Sequence, residues 1–277
     1  MFQFTPIVRI LLILNIAAFV LTLILAESGF DVNAQFGLYS MMAPEFKPYQ
    51  FLTYMFLHGS FFHLFGNMFG LLVFGALLER VLESNRFIAL YFICGFGAAA
   101  LNSGINYYEY KQLESAAIDF KVAPSPEAYF LFVVNHAGPY RASGVPVEID
   151  GQIKRVSLDL VAENYERAPD DAELKRIAIQ TVNQIQEGIR SIPMVGASGA
   201  VFGIIMAFAL IFPNLQMMLL FPPIPIKAKY LVLFYAIFEI YAIAQDRPGD
   251  NVAHFAHVGG MLFAFLLIRY WRIPRHY

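Results

Sequence analysis

Hydrophobic positions gather into six long runs, at 10–26, 51–78, 87–106, 195–212, 230–244 and 252–268. Most approach the roughly 20 residues that an apolar helix needs to cross a bilayer. The pattern predicts an all-α polytopic membrane protein with six transmembrane helices. Asn15 lies inside the first run and Glu239 interrupts the fifth. One connection breaks the rule of short polar links: residues 107–192 hold nearly half of the basic residues and more than half of the acidic ones. This segment reads as an extramembrane insertion between spans 3 and 4. The expected organisation is therefore residues 1–106 for spans 1–3, 107–192 for an extracytoplasmic insertion, and 193–277 for spans 4–6.

Within the insertion, "NYYEYKQLESAAIDF" (106–120) and "APDDAELKRIAIQTVNQIQEGIR" (168–190) predict helices. The second opens with Pro169, Asp170 and Asp171, which suit a helix N-terminus, then repeats apolar residues at Leu174, Ile177, Ala178, Val182 and Ile185. Between them, "HAGPYRASGVPVEIDGQIKRVSL" carries turn residues and the signs of a short hairpin.

Composition agrees with the pattern. Of 277 residues 58% are hydrophobic and only 14% are charged, too apolar for an ordinary soluble domain. Arg9, Arg80, Arg86, Lys227, Lys229, Arg269, Arg272 and Arg275 flank one set of span ends, whereas the short connections opposite hold only Lys47 and Arg247. The positive-inside rule then puts both termini in the cytoplasm. The net charge of −2 says nothing about nucleic acid, and no basic tract suggests such a partner, so none is expected. The single cysteine, Cys94, precludes an intramolecular disulfide.

Histidine and asparagine are costly inside a membrane and by default face the protein interior or a water-filled cavity. Span 2 nevertheless carries "HGSFFHLFGN", with His58, His63 and Asn67, and span 6 begins with "HFAH", with His254 and His257. The predicted topology brings these groups to one depth with Ser198 of "GASGAVFG", just below the outer surface. Gly199, Gly203 and Ala207 recur every four residues on span 4, as do Ala256, Gly260 and Ala264 on span 6. Such small-residue stripes let helices approach closely. Packed together, they would bring a serine hydroxyl near an imidazole, as a base-activated nucleophile requires. Free N–H groups at a helix start can also stabilise an oxyanion.

"GASGAVFG", "HGSFFHLFGN" and "NVAHFAHVGG" resemble the three signature motifs of rhomboid intramembrane serine proteases, in matching order over about two-thirds of the chain. The resemblance implies a six-helix rhomboid-like bundle with a Ser–His dyad, Ser198 as nucleophile and His257 as general base, and no acidic third member. It also implies that His63 and Asn67, with the Ser198 backbone, contribute to the oxyanion hole, with Gly196 among the supporting residues and His58 mainly structural. "FPPIPIKAKY" (221–230) looks like the cytoplasmic loop of bacterial members, which suggests a bacterial inner membrane. Two features depart from the family. The first loop lacks the Trp-Arg pair of many members, and position 202 is Phe where some have Tyr against the catalytic histidine.

Implied partners are transmembrane protein substrates and the lipid bilayer. No metal or nucleotide cofactor is implied, and the sequence does not specify an oligomeric state. Each residue also has a plainer reading. Ser198 could serve helix packing alone. His254 fits a supporting role better than that of a second base. Glu239, a functional candidate as an intramembrane carboxylate, is expected instead to reach water near the outer end of span 5. The rivals are a rhomboid-like pseudoenzyme that binds membrane clients, and a metal-binding transporter built on the clustered histidines. The sequence supplies no carboxylate beside those histidines within spans 2 and 6, which weakens the second.

Overall fold

The computed structural model describes residues 4–141, 143–218, 224–245 and 252–276. Arg247, Asn251 of "NVAHFAHVGG" and the first residues of "FPPIPIKAKY" lie outside that set. The chain starts with α1 (Pro6–Glu27), whose proline needs no N–H partner at a helix start. The next two N–H groups, of Ile7 and Val8, donate to the carboxylate of Glu79 at 2.9 and 3.0 Å. Short helices α2 (Val32–Phe36) and α3 (Gln50–Thr53) follow in the first loop.

Span 2 differs from expectation at its start. Tyr54–Phe56 form a 3-10 turn, residues 57–60 leave the helix, and α4 (Phe61–Gly70) begins only where Ser60 accepts a hydrogen bond from the His63 N–H at 3.2 Å. His58 therefore stands before the helix and not on it. A π-turn at Leu71–Gly75 leads into α5 (Ala76–Val122), which is broken at Glu83 (φ 63°, ψ 158°). The chain reverses there: a Cβ built on Gly75 would lie 3.1 Å from the Phe87 ring, a contact that a continuous helix forbids. Spans 2 and 3 are thus two antiparallel helices. Span 3 runs unbroken into the insertion, so the helix expected at 106–120 is its continuation and not a separate element.

The insertion contains α6 (Pro126–His136), α7 (Gly138–Arg141), the hairpin β1 (Val145–Ile149) and β2 (Gln152–Val156), α8 (Leu158–Arg167) and α9 (Ala172–Arg190). The hairpin is the expected one, paired Val145 to Val156 through Ile149 to Gln152. It closes on Asp150 and Gly151, both with positive φ, as a tight hairpin turn demands. Asp171 caps α9, accepting from the N–H groups of Glu173 and Leu174. Helices α6 and α8, capped by Ser125 and Ser157, were not legible beforehand. The segment has a core of its own, in which Tyr110, Leu113, Ala117 and Phe120 of α5 meet Tyr129, Tyr165 and Val182. Inside it, Thr181 Oγ1 lies 2.9 Å from the Tyr129 hydroxyl, whose burial pushes its pKa up to about 12.

The membrane half resumes with α10 (Ser198–Ile211), a small hairpin of β3 (Gln216–Met218) and β4 (Pro225–Lys227), then α11 (Ala228–Gln245) and α12 (His254–Trp271). Helix α10 is central, touching α4, α5, α11 and α12, and most of its residues are buried. Among the described residues, Pro6–Glu27, Phe61–Val122 and Ala228–Gln245 are long and apolar enough to span a membrane by length and composition. Helix α10 is a shorter apolar helix of 14 residues, and α12 carries His254, His257 and Arg269. Lipid-facing positions such as Ile13, Leu23 and Ile24 of α1 and Leu233, Phe234 and Ile237 of α11 are exposed apolar surface, the reverse of a soluble fold. The molecule is an all-α polytopic membrane protein, apart from its two short hairpins.

Candidate active site

The site is assembled around the entry to α10. From Arg190 the chain passes through Met194, which exchanges two backbone hydrogen bonds with Leu38 of the first loop at 2.9 and 2.8 Å. The Gly196 N–H donates to the Tyr54 carbonyl at 2.9 Å. Gly196 has φ +129°, a conformation that L side chains rarely adopt, and a Cβ there would stand 2.7 Å from His63 Nε2 and 3.7 Å from Ser198 Oγ. Ser198 is the first residue of α10, and no side chain caps the helix at Ala197. Its first N–H groups are therefore free to receive an anion.

The stripes of small residues meet as the sequence suggests. Any Cβ on Gly260 would overlap the Gly199 carbonyl, and one on Gly203 would strike Cys94 and approach the Gly260 carbonyl at 3.0 Å. Helix α12 thus lies directly against α10, and His257 is buried beside it with 7% exposure. Phe202, one turn along α10 from Ser198, covers the imidazole face-on. Ser198 and His257 line one cavity of about 1900 Å³ together with His63, Asn67, Phe202 and His254. Among the described residues, nothing hydrogen-bonds the Ser198 hydroxyl. Bonds of this kind commonly tighten only when substrate is bound.

The other imidazole edge meets a residue that sequence reasoning put elsewhere. Glu239 of α11 is buried, with 3% exposure, and does not reach water. Its Oε2 lies 2.5 Å from His254 Nδ1 and 3.1 Å from His257 Nδ1. The contact with His254 is a hydrogen bond. That with His257 has the right length but is out of line, so the buried His257 Nδ1 remains unpaired. A carboxylate therefore does accompany the histidines, brought in by a third helix. The three ligand-type atoms lie within 4.8 Å of one another and could also hold a metal ion.

On α4, His63 and Asn67 share the face turned to the cavity. Asn67 Nδ2 lies 3.0 Å from His58 Nε2, an arrangement that requires His58 to accept and leaves one amide hydrogen of Asn67 for another partner. His58 is 1% exposed and its ring stands edge-on to that of His63, centroids 5.0 Å apart. The structure thus gathers Ser198, His257, His254, His63 and Asn67 about one cavity, with Gly196 packed against His63 and His58 behind Asn67.

Sequence reasoning weighed Glu239 as a candidate but placed it in water, and it passed over Gln50. Glu239 has a visible signal, a carboxylate in an apolar run, but its direction is set by helix packing. Gln50 has none. Buried to 1% exposure, it accepts from the N–H groups of Lys47 and Tyr39 at 3.1 and 3.4 Å and donates to the Glu45 and Gln35 carbonyls at 3.0 and 3.5 Å. It ties the first loop together where the family's Trp-Arg pair is missing. A comparison with curated proteins gives no match. A model of the Rhomboid domain matches residues 45–118 and 175–273, which include Ser198, His257, His254, Glu239, His63, Asn67 and His58 and leave 1–44, 119–174 and 274–277 unmatched. With more than half of its length matched, the chain belongs to the Rhomboid family.

Proposed function

We propose that this protein is an intramembrane serine endopeptidase that cuts the transmembrane segments of other membrane proteins. The observation that carries the reading is the convergence of Ser198 and His257 on one cavity, beside free helix-start N–H groups. Ser198 Oγ attacks the scissile carbonyl while His257 Nε2 takes its proton. The same nitrogen then protonates the leaving amine, and water hydrolyses the acyl-enzyme. The developing oxyanion is met by the Ser198 backbone N–H, the spare Asn67 amide hydrogen and His63. Gly196 keeps room for the His63 ring, His58 holds Asn67, and His254 supports the base. A substrate helix must unwind before its carbonyl is exposed, so segments weakened by Gly or Pro are preferred. Both termini are cytoplasmic, the insertion is extracytoplasmic, and the membrane is a bacterial inner membrane.

Incubating the purified protein with single-span membrane substrates, wild type against Ser198→Ala, and identifying fragments by mass spectrometry tests the reading. Fragments that persist with Ser198→Ala overturn it. The three-atom cluster of Glu239, His254 and His257 favours a second reading, a metal site. That reading requires stoichiometric bound metal and loss of function on chelation. A pseudoenzyme would bind such substrates but neither cut them nor react with a fluorophosphonate.

A further inference from the structure

The geometry points to Glu239 as a positioning residue for His257, making the site a Ser–His–Glu arrangement rather than a dyad; this rests on the protease reading above. Three observations converge. Glu239 is a buried carboxyl group in an apolar helix, and such a group is costly unless it is paired. Its Oε2 stands 3.1 Å from His257 Nδ1. That Nδ1 is itself buried with no hydrogen bond, a state that costs about 1–3 kcal/mol when nothing relieves it.

The chemistry explains why the pair matters. For Nε2 to take the serine proton it must begin unprotonated, so the ring carries its hydrogen on Nδ1. That N–H needs an acceptor on the α11 side of the ring, and Glu239 is there. A carboxylate on Nδ1 holds the tautomer and ring orientation, and stabilises the imidazolium formed as Ser198 Oγ bonds to the carbonyl carbon. The proton resides on Nε2 until the amine leaves, and Glu239 stays ionised throughout. In the resting arrangement the carboxylate is turned towards His254. A small rotation shares it with His257, and Phe202 stacked on the ring restricts the imidazole to turning in its own plane. Among the described residues, the other ionisable groups lining the same cavity are His63 of α4, His254 of α12 and Tyr235 of α11.

The test compares Glu239→Gln, Glu239→Asp and His254→Phe in the full-length protein reconstituted in lipid, with kcat and KM measured separately on one cleavable membrane substrate. Glu239→Gln is expected to lower kcat on the order of 10²-fold at unchanged KM. This is less than the roughly 10⁴-fold lost when the acid of an aligned triad is neutralised, because Glu239 is shared and off line. Glu239→Asp keeps the charge but withdraws it by one methylene, and should recover kcat to about tenfold below wild type. His254→Phe should lose less than Glu239→Gln, since the carboxylate is then released to His257. A folded Glu239→Gln protein with wild-type kcat, or with a change in KM alone, overturns the proposal. So does equal loss in Glu239→Gln and His254→Phe, which would make Glu239 a partner of His254 only. If Glu239→Gln does not fold, Glu239→Asp decides, and wild-type kcat in that variant is fatal. Inactivation of the wild type by chelation, reversed by Zn²⁺, assigns the cluster to a metal instead. Absence of both cleavage and Ser198 labelling in the wild type defeats the protease reading itself, whereas labelling with unaffected Glu239 variants defeats only this inference.

Discussion

Phe202 lies flat on the imidazole of His257, with ring centroids 4.1 Å apart and planes within 9°. An aromatic face is thus supplied to the imidazole without a hydroxyl. Its own edge meets Tyr235 at 5.9 Å in a T-shaped contact, so the His257 ring is backed by two aromatic rings, one from α10 and one from α11. Contacts of this kind contribute about 0.5–1.5 kcal/mol. If that energy orients the ring for proton transfer, Phe202→Ala should lower kcat by up to about tenfold. Phe202→Tyr should stay within about twofold of wild type. Equal activity in all three proteins would show that Gly–Gly helix packing alone orients His257.

Two variants on α4 separate catalysis from stability. His63→Ala and Asn67→Ala are each expected to slow turnover by roughly 10²–10³ if each supplies one donor to the oxyanion. Asn67→Ala also strips the partner from His58 Nε2, which lies in a fully buried position. It should therefore cost about 1–3 kcal/mol in stability, a loss that His63→Ala does not share to the same degree. Thermal unfolding in detergent, run beside the kinetic assay, resolves the two effects. Unchanged turnover in both variants would leave the backbone N–H groups as sufficient.

The glycines that join α10 to α12 make a sharper stability prediction. Gly260→Ala drives a methyl group into the Gly199 carbonyl, which is backbone and cannot rotate away. Overpacking of this kind costs about 1–3 kcal/mol, and here it also separates the helices that carry Ser198 and His257. Gly104→Ala, on α5 with nothing within 4 Å of its Cβ position, is the control and should be neutral or slightly stabilising. A Gly260→Ala protein as stable and as active as wild type would mean that the two helices are not held at this distance.

The legible and illegible parts of this structure divide by the range of the interactions behind them. Apolar runs, the acidic start of α9 and the presence of a hairpin in the middle of the insertion are local, and each was readable from a few consecutive residues, though the turn at Asp150 and Gly151 was not singled out. The small-residue stripes were readable too, because their four-residue period is itself the packing surface. The start of span 2 was not, since the apolar run continues through residues that Ser60 and the preceding turn hold out of the helix. Glu239 was assigned to water because it lies towards the end of its run, yet packing of α11 on α12 turns it inward. Gln50 looked like any loop glutamine. Its four backbone partners come from Gln35 to Lys47 and converge only in the folded loop.

Gln50 yields a prediction about that loop. Replacing it with leucine removes four hydrogen bonds from a buried position and leaves the Lys47 and Tyr39 N–H groups unsatisfied. The first loop also pins Met194 through Leu38, so loosening it reaches the segment that presents Ser198. Gln50→Leu should lose about 1–3 kcal/mol of stability and show faster hydrogen exchange at Leu38 and Met194. Gln50→Glu keeps the acceptor oxygen but sets a second acceptor against the Glu45 and Gln35 carbonyls, so it should not restore wild-type stability. Wild-type exchange at both positions in a Gln50→Leu protein would count against any tether between the loop and the serine segment.

The insertion is a folded unit placed between α5 and the segment that carries Ser198. It has its own core, begun by α5 and closed by α9, and Met42 of the first loop packs against that core. Its last helix ends at Arg190, just before the strand-like contact of Met194 with Leu38. A folded unit so joined to both the first loop and the serine segment is well situated to receive the part of a substrate that projects from the membrane. The plainer alternative is a tolerated spacer, because long surface insertions add little entropic cost. Replacing residues 110–188 with a short flexible linker distinguishes them. If the unit recruits substrate, attack on a small soluble ester should stay within about threefold of wild type, while cleavage of a full membrane substrate falls at least about tenfold, mainly through KM. A Ser198 that still reacts with a fluorophosphonate confirms that the serine segment has survived the replacement. Retention of both activities, with an unchanged preference among membrane substrates, would reject recruitment and leave the insertion as a spacer.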